Sequence, residues 1–352
     1  MNINSFFTVE KIAEFKTKYP LFPHPYEYLY QDFKPLEGAI SKVNNHLLHQ
    51  RICDLSGTDE VTKFYGLISE LKVALLIHKN GFKFECSKEG GNTKAAPDFK
   101  VITEFGEIYI EVNAPLKSMP YISSIERKFK DTSRTWFNIT DRLPKINNYS
   151  DAEIVFNSIL FAIQNSDQNF VFYEDEERSI KFWYNEPRNI YSGFSKDKIT
   201  NLIRHFLYES ITDKIDKEKT TEEKIILRNN LNNSHPNILW SEFNFLHNFQ
   251  GAIVELTSVS SSRTSLSEIF SAHSLPKDID AQIISISNLT DSYQSAATTY
   301  FPLFYIFINK NSKNFKNIKA FIDKILPNVN QFLVNDEFSY FKKSKNKSVE
   351  AK

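Results

Sequence analysis

One run of residues restricts the fold more than any other, an apolar helical repeat that stops at a glycine and leads at once into three short strand-like segments. From Thr62 to His78, following Thr58, apolar side chains recur at Phe64, Leu67, Leu71, Ala74, Leu75 and Ile77, the spacing of a helix with one side turned to a core. Asn80-Gly81 ends it, because glycine takes the left-handed cap conformation without steric cost. Phe82 to Cys86, Asp98 to Ile102 and Ile108 to Asn113 then read as strands, separated by Gly90-Gly91-Asn92 and by a tight turn at Gly106. Helix, strand, strand, strand in this order implies an α/β domain.

The flanking segments extend that picture. An irregular, aromatic and proline-containing lead-in gives way to helical spacing over Leu36 to Cys53, so 1–57 is expected to be an N-terminal helical lead-in. Beyond Pro115 a polar segment rich in Arg and Lys runs to Lys145, and Ile154 to Gln164 fits a helix or a strand equally. Phe170 to Tyr173 and Ser179 to Tyr184 predict a hairpin around the charged run Glu174 to Arg178. Two helices are expected over Lys198 to Ile215 and Thr221 to Leu231. Strands are expected over Asn237 to Phe245, Ile253 to Thr257, Gln282 to Ser287 and Leu303 to Asn309, with a closing helix from Phe315 to Ile325. The resulting organisation is a main domain over 58–330, interrupted by an insertion at about 115–197, then a C-terminal extension over 331–352 that ends in a loose lysine-rich tail.

Composition excludes several classes. At 352 residues, with 41% hydrophobic residues including 31 Phe and 16 Tyr, the chain can bury a core without covalent help. Cys53 and Cys86 are far apart and outside any CxxC spacing, which supports neither a disulfide framework nor a cysteine zinc site and fits a reducing, cytoplasmic setting. Met1 to Lys16 has no basic-then-apolar leader pattern, and apolar runs such as Leu303 to Ile308 are too short to span a bilayer, so neither export nor membrane insertion is expected. Basic and acidic residues number 43 each. The chain as a whole is therefore no polycation, although a local basic face beside an acidic site leaves the total at zero and still binds phosphates.

Three acidic residues stand out by their settings. Glu70 lies within the apolar helix, and Asp98 and Glu111 lie on consecutive strands. Ile108, Ile110 and Val112 share one face of their strand, so Tyr109, Glu111 and Asn113 project together to the other, and Asp98 shares a side with Lys100. A hairpin between the two strands can bring Asp98 and Glu111 together. Two close carboxylates repel, and a divalent cation that prefers oxygen ligands relieves the repulsion. Mg2+ is the expected ion, with Mn2+ as its substitute. Such an ion polarises a phosphoryl oxygen and lowers the pKa of an attacking water, which is the chemistry of phosphodiester hydrolysis.

The segments Glu70-Leu71-Lys72-Val73-Ala74, Gly81-Phe82, Pro97-Asp98-Phe99 and Ile108-Tyr109-Ile110-Glu111-Val112-Asn113 together resemble the PD-(D/E)XK, or restriction-endonuclease-like, nuclease superfamily, in order as well as in type. The resemblance implies a restriction-endonuclease-like core, a mixed central sheet flanked by helices, with the insertion after the motif strand. It also implies that Asp98 and Glu111 are metal ligands, that Glu70 supports the cluster, and that the Val112 backbone carbonyl completes the shell. The final motif lysine falls at Asn113, which donates a hydrogen bond but carries no charge and is no base near neutral pH. Lys100, on the Asp98 side of its strand, is the first replacement to consider, ahead of Lys117 and Lys72. The expected activity is Mg2+-dependent endonucleolytic cleavage, with DNA as partner, restriction or another defence against foreign DNA as setting, and a homodimer as the assembly that many such nucleases use. The competing expectation is a catalytically inactive relative that binds nucleic acid or protein.

Bland readings stand beside these. A helix glutamate such as Glu70 is, alone, a solvated residue; Pro97-Asp98 alone is a turn pair; and an edge strand alternating polar and apolar accounts for Glu111 without metal. Arg127, Lys128, Lys130 and Arg134, with Arg142, Lys145, Trp136 and Phe137 nearby, could follow a phosphate backbone, but Glu126, Asp131 and Asp141 dilute them towards an ordinary solvated face. His78, His205, His235 and His247 lack paired metal spacing, and no nucleotide-binding glycine pattern is present in the sequence.

Overall fold

The helix expected from the apolar repeat is formed over Val61–Lys79, and its end has a specific cause. Gly81 adopts φ 76°, its N–H donates to the His78 carbonyl at 2.9 Å, and the Phe82 N–H donates to the Ile77 carbonyl at 3.3 Å. This Schellman closure satisfies carbonyls that a fraying helix would leave open. The computed structural model describes residues 9–18, 35–36, 39, 61–86, 97–114, 121–122, 125, 128–129, 135–137, 145–167, 171–184, 236–244, 270, 273–276, 279–287 and 303–336.

In chain order the named elements are α1 (Val9–Lys18), α2 (Val61–Lys79), β1 (Lys83–Cys86), β2 (Phe99–Thr103), β3 (Gly106–Asn113), β4 (Thr135–Phe137), α3 (Tyr149–Gln164), β5 (Val171–Asp175), β6 (Ile180–Tyr184), β7 (Asn237–Asn244), β8 (Ala281–Ser287), β9 (Leu303–Asn309), α4 (Phe315–Ile325) and β10 (Gln331–Val334). Seven strands form one sheet in the order β1-β2-β3-β7-β8-β9-β10. β1, β2 and β3 are an antiparallel meander, β7 and β8 run parallel to β3, β9 is antiparallel to β8, and β10 is parallel to β9. The fold is therefore α/β, a mixed central sheet flanked by helices, as expected.

The turn between β2 and β3 shows why the meander closes so tightly. Thr103 pairs with Gly106 across a two-residue loop, Gly106 takes φ 112°, and the Thr103 hydroxyl donates to the Gly106 carbonyl at 2.8 Å while accepting the Phe105 N–H. Only glycine adopts that φ without strain.

The core is one continuous cluster. Ile68, Leu71, Val73, Ala74 and Ile77 of α2 are buried with Phe84, Phe99, Val101, Ile108, Ile110, Ile238, Trp240 and Ile283 of the sheet. Apolar area withdrawn from water at about 25 cal/mol per Å² is the main stabilising term here. α4 joins through Phe321, whose ring stands 5.1 Å from that of Phe82 at the cap of α2.

Within the chain between β3 and β7, β4, β6 and β5 form a separate three-stranded antiparallel sheet. The segment that fitted helix or strand is helix α3, which starts five residues earlier than expected, at Tyr149, capped by Asn148, whose side chain accepts the Asp151 N–H at 2.9 Å. That cap explains the outcome, since an orphan N–H at the first turn is satisfied by a side chain that a strand could not use in this way. Phe129 links this unit, its ring lying 5.1 Å from Phe156 and 5.4 Å from Phe182. The expected hairpin is the β5–β6 pair. β4 lies within the stretch read as polar and irregular, and β10 extends the main sheet past residue 330, into the expected C-terminal extension. Both expected helices over 198–231, the strand over 253–257, most of 36–53 and the tail from 342 lie outside the described residues. Among the described residues no helix is long and apolar enough to cross a membrane.

The far half of the sheet is covered by a short segment carrying Phe270 and His273. The Phe270 ring meets Tyr305, Phe307 and Phe332. The His273 ring stands 4.7 Å from Phe307, and its Nε2 lies 2.8 Å from Oε1 of Gln282, an acceptor only, so Nε2 carries the proton. The residue keeps a partly exposed edge, but enclosure of the ring by these groups lowers its pKa from 6.5 to about 4, against the smaller opposing effect of Gln282. The unfolded chain takes up a proton below pH 6.5 that the folded chain refuses until about pH 4. Stability contributed by the neutral ring is thus complete above 6.5, falls as pH drops towards 4 and then levels, a loss of about 3 kcal/mol. Urea unfolding of the wild type against His273→Leu at pH 7 and pH 4.5 checks this. The difference between the two proteins is expected to narrow or reverse at the lower pH, and parallel behaviour would refute it.

Candidate active site

β3, β7 and β8 run parallel, so their carboxyl ends meet at one end of the sheet, the place where open α/β sheets bind ligands. The start of β2 lies at the same end, because β2 is antiparallel to β3. Here the ladder stops in an unusual way. Phe99 pairs with Ile110, and continuing that register by one rung sets Asp98 across from Glu111. Asp98 then takes over the ladder with its side chain, Oδ2 accepting the Val112 N–H at 2.7 Å. A charged acceptor on a backbone N–H is among the stronger protein hydrogen bonds. Since strand N–H groups lie near the plane of the sheet, the carboxylate is held at the sheet edge beside β3, and it is buried.

Alternation along β3 is as expected. Ile108, Ile110 and Val112 are buried on one face, while Glu107, Tyr109 and Glu111 are half-buried on the other. Asn113 follows Glu111 on that second face and is buried, paired in register with Ser241. The Ser241 hydroxyl is itself buried without a hydrogen-bond partner. Residues in register share a face, so Val112, Trp240 and Glu242 lie on the other side of the sheet, the side that α2 covers through Lys72. Glu70 is half-buried on that helix. Glu111 thus projects from the face of the sheet opposite the one that the Glu70 helix covers, with Asp98 at the end of the sheet beside β3. Among the described residues no group of three or more His, Cys, Asp and Glu side chains is placed to hold a metal ion.

The fit to Mg2+ therefore rests on a pair of carboxylates. Mg2+ commonly takes one or two carboxylates and completes its shell with waters and phosphate oxygens. Asp98 and Glu111, anchored on adjacent strands across one rung, suit that requirement, and the hydrogen bond from Val112 keeps Asp98 in place without an ion.

Lys100 is held elsewhere. It stands across from Tyr109 on β2, with its ammonium 2.7 Å from Glu107 and 3.9 Å from Glu85. The hydrogen bond to Glu107 raises its pKa, with the nearby charges of Glu107 and Glu85 adding to the effect. It is a cation held by Glu107 on the face of the sheet that carries Tyr109 and Glu111, unsuited to act as a base. The Tyr109 hydroxyl also donates to Glu107, at 3.2 Å. Of the basic group considered for nucleic acid, Lys128 is exposed, and Arg127, Lys130 and Arg134 lie outside the described residues.

One residue of this end of the sheet escaped sequence reasoning. Glu242 on β7 is 3% exposed, with Oε1 accepting the Trp240 indole N–H at 2.8 Å and Oε2 lying 3.8 Å from the Lys72 ammonium. The signal was present, since Glu242 shares strand parity with Ile238 and Trp240, which puts a carboxylate on an apolar face, whereas Glu111 projects from the face opposite Ile108, Ile110 and Val112. A scan against protein-family models and searches of curated proteins and of solved structures returned no match for this chain.

Proposed function

We propose that this protein is a metal-dependent endonuclease that hydrolyses DNA phosphodiester bonds on a restriction-endonuclease-like core. The observation that carries the reading is the Asp98 carboxylate held on the Val112 N–H, one rung from Glu111, at the carboxyl ends of parallel strands. The helix, the three-stranded meander and the later parallel strand agree with the mixed sheet that the motif resemblance implies. Asp98 and Glu111 would hold the ion, with the Val112 carbonyl as a further oxygen, while Glu70, on the helix side of the sheet, is not placed with them. When bound, Mg2+ or Mn2+ supplies polarisation of the phosphoryl oxygen and a more acidic water. The chain's own part is to hold the two carboxylates and to present donors, the Asn113 amide among them, to the phosphate and the water. Restriction or another defence against foreign DNA, a cytoplasmic setting and a homodimer that cuts both strands extend the reading by analogy.

Asn113 favours a second reading, a relative that keeps the scaffold and binds nucleic acid or protein without cutting. The two separate on incubating the purified full chain with supercoiled, linear and single-stranded DNA and with RNA, in Mg2+, Mn2+ or EDTA. Nicking or linearisation of DNA that EDTA abolishes is expected. Intact substrates throughout would end the enzyme reading, and retained DNA binding would then favour the second.

A further inference from the structure

We propose that Ser241 is a positioning residue of the carboxylate site, its hydroxyl bonding the hydration shell of the divalent ion that Asp98 and Glu111 hold. The inference deepens the endonuclease reading and rests on its ion site.

Register fixes where the hydroxyl stands. β3 and β7 run parallel, with Glu111 across from Leu239 and Asn113 across from Ser241. Residues in register share a face, so Ser241 lies on the face that carries Tyr109, Glu111 and Asn113. It is one strand over from Asn113, about 4.8 Å, and two residues past Glu111 along the strand direction, about 7 Å, within reach of a glutamate side chain. Asp98 is held at the same end of the sheet by the Val112 N–H. Ser241 and Glu111 are thus approached from one side of the sheet, with no strand between β3 and β7.

Burial carries the second part. Ser241 is 0% exposed, and its hydroxyl makes no hydrogen bond to the protein. A hydroxyl withdrawn from water without a partner is destabilising, and alanine on the same backbone carries no such cost. Ser312 shows the usual arrangement, its hydroxyl donating to Asp280 and accepting the Asn314 N–H. An enclosed hydroxyl with no protein partner bonds what its site admits, and one donor with two acceptor positions suits water in either orientation. Mg2+ held by one or two carboxylates keeps several waters, and an enclosed water takes two to four polar partners. Asp98 and Glu111 are engaged by the ion itself, whereas Ser241 is a neutral group on the Glu111 face that orients the shell around it. Such outer partners are worth about 10–100-fold in metal affinity. Ser241 makes and breaks no covalent bond and carries no charge.

The test uses the full chain with Mn2+ as the probe, its affinity read from the electron paramagnetic resonance signal of the free ion, beside thermal melting in EDTA. Ser241→Ala is expected to melt at the wild-type temperature or a few degrees above it, because an unbonded hydroxyl has gone, and to bind Mn2+ about 10–100-fold more weakly. Lost affinity with retained stability is a result that a merely structural serine does not give. Affinity within about twofold of the wild type overturns the proposal. So does a variant that melts well below the wild type in EDTA, since the hydroxyl would then be bonded within the folded chain. A wild type that binds no Mn2+ removes the ion site and overturns this proposal and the endonuclease reading together. A wild type that binds Mn2+ and leaves DNA intact, with Ser241→Ala still weaker, overturns the endonuclease reading alone and leaves Ser241 at its ion.

Discussion

Asp98→Asn is expected to abolish Mg2+-dependent cleavage, a loss of at least about a thousandfold, while leaving the protein folded. The amide oxygen still accepts the Val112 N–H that the carboxylate accepts at 2.7 Å, so that bond loses its charge and keeps its acceptor, at a cost of about 1 kcal/mol. Asp98→Ala removes the acceptor as well. It leaves a buried N–H at the end of β3 unpaired, which costs about 2–3 kcal/mol and a drop in Tm of roughly 4–10 °C. Glu111→Gln, on the half-buried face, is expected to match Asp98→Asn in activity with little change in Tm. Plasmid nicking together with thermal melting checks all three. If Asp98→Asn and Glu111→Gln cut as the wild type does, the carboxylate pair holds no catalytic ion.

The largest effect on stability is expected from Asp280→Ala, at the opposite end of the sheet. Asp280 is buried and its carboxylate gathers three elements. The Asn237 N–H at the start of β7 donates to Oδ2 at 2.7 Å, the Ser312 hydroxyl donates to Oδ1, and the Asn314 side-chain amide reaches Oδ2 at 3.5 Å from the turn into α4. Its backbone N–H donates to the Asn237 carbonyl at 2.9 Å, and its carbonyl accepts the Asn309 N–H at 2.9 Å, at the end of β9. Truncation strands a buried backbone N–H and a hydroxyl at once, and the expected cost is about 4 kcal/mol. Asp280→Asn keeps an acceptor for Asn237 and is expected to cost about 1–2 kcal/mol. Urea titration of both variants decides. An alanine variant within about 0.5 kcal/mol of the wild type would mean that water replaces the carboxylate and that this bracket contributes little.

Elements dictated by neighbours along the chain were legible without coordinates. The α2 repeat and its Gly81 cap, the turn at Gly106, the parity that separates Ile108, Ile110 and Val112 from Glu111, and the limits of β9 and α4 all follow from periodicity and local φ preferences. α3 was ambiguous because an apolar run fits two periods, and only the Asn148 cap resolved it. β4 was missed because three residues in a charged stretch carry too little pattern to mark a strand until β6 pairs with them.

The candidate site divides in the same way. Asp98 and Glu111 were found because Asp98 directly precedes one, and Glu111 lies in the other, of two short strands whose register is fixed by a tight turn between them. Glu242 was within reach by parity alone, yet its partner was not, since nothing in the chain order says that β7 lies beside β3 or that Lys72 crosses the sheet to meet it. The placement of Lys100 against Glu107 and Glu85 likewise depends on three strands coming together.

By itself the amino-acid sequence determined much of the local geometry of this protein: the extent of α2, β9 and α4, the apolar face of β3, and the closeness of Asp98 and Glu111 across one tight turn. Tertiary structure alone decided which strands are neighbours, that Asp98 bonds to Val112, and that a buried glutamate draws a helix lysine to the end of β3. The reason is physical. Dihedral preferences and side-chain periodicity act over a few residues, whereas the cost of burying a charge is settled only when distant segments supply its partner.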